Sequence, residues 1–250
     1  MNTSHFQVGA GNPRSAHKNF LRFVSTIFFT SLSLYPLAVG GQTRPLSARV
    51  AIVVDERLSV LRSAPGFSAP LARRLGRGRV VRILESRRAR DGIFYRVAVT
   101  RRTRGWIQRE AVIAPRQQGE DERLLRLINS SVDFDRLVRA RIFLDAFPRS
   151  TLRPIVLLSF GQEAMRAAGK LSRDAARRLS SENVKDTGAP ISSYFLNYSG
   201  LDRYHRQGII FTFDHATKQF HYNGGSWREL LRRYPSSPQA AEAKAEGRRQ

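Results

Sequence analysis

The chain of 250 residues has no cysteine. That excludes disulfides, thiolate-bound metals, thiol nucleophiles and lipidation of an N-terminal Cys, but it does not argue against export. Acids are scarce: 20 Asp and Glu stand against 43 Lys and Arg, a formal charge of +23. Lysine is also rare, with Lys18, Lys170, Lys185, Lys218 and Lys244 its only occurrences, so the basic excess is arginine. An arginine-rich surface favours polyanions such as nucleic acid, anionic lipid or anionic wall polymer. A GC-rich coding sequence gives the same bias without any ligand. Catalytic signatures are missing as well. There is no H-E-x-x-H, no G-x-S-x-G around Ser199-Gly200, no P-loop and no G-x-G-x-x-G. Beyond residue 40 the histidines are His205, His215 and His221. Asp214, His215 and His221 share one predicted hairpin but lack the partners of a usual zinc set. The expectation is a protein that is not an enzyme, with no cofactor and no metal.

Residues 1–40 have the layout of a secretory signal. Arg14, Lys18 and Arg22 form a basic start, Phe23–Leu34 an apolar run, and Pro36 breaks any helix. Ala38-Val39-Gly40 then supplies small residues before a cut at Gly41. The implied location is the periplasm or cell envelope. Two alternatives stay open: an uncleaved anchor over Phe20–Val39, which would be the only membrane contact, and a cytosolic core helix.

From about residue 46 to 115 the apolar period is two. Strands are expected at Ala48–Val53, Leu58–Arg62, Arg79–Leu84, Ile93–Val99, Arg104–Ile107 and Ala111–Ile113. Turn chemistry separates them at Ser63-Ala64-Pro65-Gly66 and Asp91-Gly92. So many short strands in so few residues indicate a small barrel. The segment resembles the bacterial SH3 family. The resemblance lies in Leu58-Ser59-Val60-Leu61-Arg62-Ser63-Ala64-Pro65, Leu75-Gly76-Arg77-Gly78, Gly92-Ile93-Phe94-Tyr95-Arg96-Val97 and Gly105-Trp106-Ile107-Gln108. It covers little more than a quarter of the chain. Leu61 and the arginine-rich insert Thr100–Arg104 depart from the family pattern.

The resemblance implies a binding module for peptidoglycan or an envelope peptide or protein. Tyr95 and Trp106 are candidates for an aromatic groove, with core filling by Trp106 and Phe94 as the competing reading. Arg77, Arg79, Arg102 and Arg104 are candidates to meet carboxylate or phosphate, against a solvated face.

Residues 116–122 read as a polar linker, and residues 123–250 as a mainly helical domain. Stripes run over Leu124–Ile128 and Phe134–Ala146, then Leu152–Ala168 and, as a separate helix, Ser172–Leu179. A β-hairpin is expected over 208–222, with Asp214–Thr217 as its loop. Ser226-Trp227-Arg228-Glu229 reads as a capping box. Phe147-Pro148-Arg149-Ser150 and Tyr234-Pro235-Ser236-Ser237 repeat one junction. It weakly resembles that of tetratricopeptide-like helical hairpins of envelope proteins, which implies a protein partner for this region. The fold class expected is α+β: a small SH3-like barrel, then helices with one hairpin. Nucleic-acid binding and an envelope hydrolase with an unrecognised site are the alternative functions.

Overall fold

The computed structural model describes residues 50–179 and 188–247. The segment 1–40, read above as a secretory signal, lies outside them, as do residues 46–49 of the β-region and 248–250 of the helical region. The described residues fall in one compact unit. The architecture is the expected α+β mixture, an antiparallel sheet followed by helices.

Seven strands form the sheet: β1 (Val50–Val53), β2 (Val60–Arg62), β3 (Leu71–Arg74), β4 (Val80–Ala89), β5 (Gly92–Ala98), β6 (Arg104–Gln108) and β7 (Val112–Ile113). Their order is β3-β2-β6-β5-β4-β1-β7. A 3-10 turn, Arg109–Ala111, joins β6 to β7. Alternation does what the pattern demanded: Val81 and Ile83 are buried while Arg82 between them is exposed. Ala51, Val53, Leu61, Val97, Ile107 and Val112 pack into the same core. Gly105 is required where β6 passes under β2, since a Cβ there would lie 2.6 Å from Leu61 Cγ and 2.8 Å from the Arg62 carbonyl oxygen. The β4–β5 turn is Arg90-Asp91, one residue earlier than expected, because Gly92 already pairs with Ala89. Strand β3 was not anticipated. All four of its residues are exposed, so it carries no alternation to read.

The helices are α1 (Glu120–Asn129), α2 (Asp133–Ala146), α3 (Arg153–Leu179), α4 (Ile191–Leu196), α5 (Ser199–His205), α6 (Gly225–Arg233) and α7 (Pro238–Gly247). The first begins inside the stretch read as a linker. Its Glu120 turns back to accept the Ala114 amide at 3.0 Å and the Arg123 guanidinium at 2.8 Å. The expected break between Ala168 and Ser172 is absent. No proline interrupts α3, and Ala164, Ala168, Leu171 and Ala175 keep one apolar stripe across Gly169. Pro154 sits at its second position, where no amide donor is needed.

The hairpin is present as β8 (Phe211–Asp214) and β9 (Gln219–Tyr222), with Asp214 paired to Gln219. Its loop is therefore His215–Lys218, again shifted by one. Asp214 accepts the Ala216 amide and the Thr217 hydroxyl, each at 2.8 Å, and Lys218 takes a left-handed φ of 57°. The Phe220 amide donates to Ser172 Oγ at 2.8 Å and so ties the hairpin to α3.

The capping box is overturned. Gly224, at a φ of 69°, precedes α6, and Ser226 lies inside the helix with its buried hydroxyl unpartnered. The Glu229 carboxylate is taken by Arg153 at 2.7 Å and Arg233 at 3.2 Å, so it cannot reach back. The repeated junction does cap in its second copy: Ser237 Oγ accepts the Ala240 amide at 3.2 Å. In the first copy Ser150 Oγ accepts the Leu152 amide and donates to Asp121 at 2.7 Å.

Sheet and helices share one interior. Val54, just after β1, and Ile113, the last residue of β7, belong to the core of Leu124, Ile128, Leu137, Phe143, Val156 and Phe160. Above it lies a buried polar junction. Arg139 of α2 donates to the Val54 carbonyl at 3.1 Å, to Asp55 at 3.0 Å and to Ser131 Oγ. Among the described residues no helix is long and apolar enough to cross a membrane.

Candidate functional site

Two concave surfaces lie on the sheet, and both arise from the β2–β3 hairpin and its flanks. The first is a groove of about 160 Å³ lined by Arg57, Leu58, Val60, Arg62, Phe67, Phe94 and Gln108. Pro65-Gly66 turns the chain at the tip of the hairpin loop, where Gly66 has a φ of 144°. The Phe67 amide then donates to Asp91 at 3.1 Å, which ties the tip to the β4–β5 turn. From beneath, the Arg62 guanidinium donates to the Ala69 carbonyl at 2.6 Å. Phe67 is left 48% exposed, edge-on to buried Phe94 with ring centroids 5.5 Å apart. An aromatic face held half in water over a rigid floor is ready for contact at little entropic cost.

Arg57 forms one wall. Its guanidinium and its amide both donate to Asp55. Burial pushes the Asp55 carboxyl up, but the hydrogen bonds from Arg57, with the charges of Arg57 and Arg139, outweigh it and hold the group below the usual carboxylate range. For Arg139, burial and the neighbouring Arg77 charge pull the guanidinium down, and Asp55 offsets part of this. Arg139 remains a cation because an arginine starts so high.

The second surface is a cleft of about 420 Å³ lined by Arg73, Arg74, Leu75, Gly76, Arg77, Gly78, Arg79 and Val99. It holds two of the six residues expected from sequence, Arg77 and Arg79. Their surroundings differ. Arg79 is exposed at the cleft. Arg77 is only 9% exposed and reaches Asp135 of α2 at 2.7 Å, so its head group helps join sheet to helices.

The other four expected residues do not line either surface. Arg102 and Arg104 are exposed around the β5–β6 turn, beyond Val99. Tyr95 is buried in the sheet core. Trp106 is buried too, with the Arg87 guanidinium 5.5 Å from its ring centroid. Phe67, Arg73 and Arg74 were missed. Phe67 follows a Pro-Gly turn, and an aromatic there was the available signal. Arg73 and Arg74 sit on the strand that had no alternation.

Outside the sheet, a hollow of about 210 Å³ lies between α2, α3, α6 and the hairpin, lined in part by Arg141, Phe160, Ile210, Tyr222 and Ser226. The Asp214 carboxyl is held below its usual range by hydrogen bonds from the Thr217 side chain and the Ala216 amide, which serve the hairpin loop. His215 packs edge-on against Phe213. Among the described residues no group of three or more His, Cys, Asp and Glu side chains is placed to hold a metal ion.

Compared with known proteins, the chain matches no family model, no curated protein and no solved structure.

Proposed function

We propose that the chain is an exported, non-catalytic envelope protein whose sheet is a bacterial SH3-like barrel that binds cell-wall polymer or peptide. In this reading the helices support the barrel and dock a protein partner, and the N-terminal segment directs export to the periplasm or cell envelope. The strand plan supports the barrel: β1 pairs with both β4 and β7, β4 to β6 run as a meander, and a 3-10 turn precedes the last strand. The motif residues Leu58–Pro65 supply β2 and the start of its loop, and Gly105-Trp106-Ile107-Gln108 supplies β6. The groove under Phe67 carries the functional part. It offers an exposed aromatic face between Arg57 and Arg62, a fit for an extended peptide or glycan bearing carboxylates.

Retention of the full-length chain on purified cell wall at physiological salt tests this. Phe67→Ala removes the exposed ring and is expected to weaken retention about tenfold, the scale of an aromatic anchor at a small interface. Its unfolding midpoint should stay near that of the wild type because the ring is half-exposed. Equal retention by the variant would remove the groove from the account.

A further inference from the structure

The arginine cleft carries an inference independent of the groove. Four arginines line it and no carboxylate does. The acids that touch this loop are engaged elsewhere on it: Asp135 takes the Arg77 guanidinium and Glu56 accepts the Arg77 amide at 2.9 Å. Arg73, Arg74 and Arg79 make no ion pair among the described residues. Like charges gathered on one short strand and the adjoining turn repel one another, so an anion that enters relieves repulsion as well as gaining contacts. The base of the cleft is fixed. Arg77 is held by Asp135, and its buried Nε has no hydrogen-bond partner. Gly76, where an added Cβ would meet nothing within 4 Å, and Gly78, with a φ of 80° and Gln207 Oε1 3.9 Å from where a Cβ would lie, also line the cleft.

We propose that this cleft is a phosphate-binding site, in which the guanidinium forks of Arg73, Arg74 and Arg79 take the oxygens of a phosphate group above a base anchored by Arg77. Phosphate suits it better than a lone carboxylate. Three arginines that make no ion pair line one cleft, and a phosphate presents three strong acceptor oxygens with up to two negative charges. A phospholipid headgroup and a soluble phosphate share this chemistry.

The test titrates the full-length chain calorimetrically with inorganic pyrophosphate in about 0.05 M salt, where surface charges are little screened. Saturable binding is expected. The double variant Arg73→Gln/Arg79→Gln should weaken it about tenfold or more, because charge-assisted forks are lost. A control, Arg88→Gln/Arg90→Gln, removes the same charge from exposed positions on β4 and its turn and should change affinity by less than about twofold if the site is local. Phe67→Ala should bind pyrophosphate as the wild type does, so failure of wall retention and failure of this site can be told apart. Sedimentation with vesicles of zwitterionic lipid, alone or with phosphatidylglycerol, separates the sources. Binding to the anionic vesicles that pyrophosphate displaces assigns the headgroup, and pyrophosphate binding without vesicle binding assigns a soluble phosphate. Absence of saturable binding by the wild type, or an equal loss in the control variant, overturns the proposal.

Discussion

Replacing Arg139 by Met should cost about 3 kcal/mol of stability, at the lower end of the range for breaking a buried ion pair. Both partners are nearly sealed, with side-chain exposures of 6% for Arg139 and 8% for Asp55. The substitution removes the donors to the Val54 carbonyl, Asp55 and Ser131. It does not orphan the carboxylate, because Arg57 still holds Asp55, and this is why the lower end applies. For a folded unit of this size the loss corresponds to a fall in Tm of about 6–12 °C. Arg139→Lys should fall between, since it keeps the charge but loses the fork.

The chain's two tryptophans make the assay specific. Trp106 lies in the sheet and Trp227 in α6. Single-tryptophan variants, Trp227→Phe and Trp106→Phe, therefore report the two regions separately during urea unfolding. A shared interior predicts coincident transitions, both shifted together by Arg139→Met. A loss below about 1 kcal/mol, or a shift seen only from Trp106, would refute the view that this junction couples sheet to helices.

Other consequences follow from the same geometry. Gly105→Ala should destabilise the protein by about 1–3 kcal/mol, since the added methyl meets Leu61 and the Arg62 backbone, and the latter cannot yield; equilibrium denaturation measures it. Because the Asp55 carboxyl is held low in the folded state, its contribution is complete above the unfolded carboxylate pKa of about 4 and is lost as pH falls through the lower folded value. Asp55→Asn should therefore be less stable than the wild type at pH 7, and the difference should shrink on acidification, as unfolding curves across pH will show.

The parts of the fold legible in the sequence are those where burial alternates cleanly. Val81-Arg82-Ile83 announced β4, and the stripes from Leu124 to Ala146 announced α1 and α2. What escaped lacks that signal. Strand β3 is exposed along its whole length, so Leu71–Arg74 reads as loop. The capping box at Ser226 failed because a distant residue, Arg153, competes for Glu229, and sequence spacing cannot register a partner so far away. Tyr95 and Trp106 were expected to line a groove, but their rings are buried. The exposed ring of this sheet is Phe67, placed by a turn and by a hydrogen bond to Asp91. Arg77 was noticed for its charge, yet its partner Asp135 lies on a helix well downstream. The proposal of export rests on the pattern of residues 1–40: a basic start, an apolar run, and small residues at Ala38-Val39-Gly40.

The central claim is that Phe67 and its groove make this chain a wall-binding module. Co-sedimentation of the full-length protein with purified cell wall at physiological salt, wild type against Phe67→Ala, tests it most directly. The account predicts that the wild type pellets with the wall and that the folded variant stays largely in solution. Absence of wild-type protein from the pellet, or equal pelleting of the two, would contradict it.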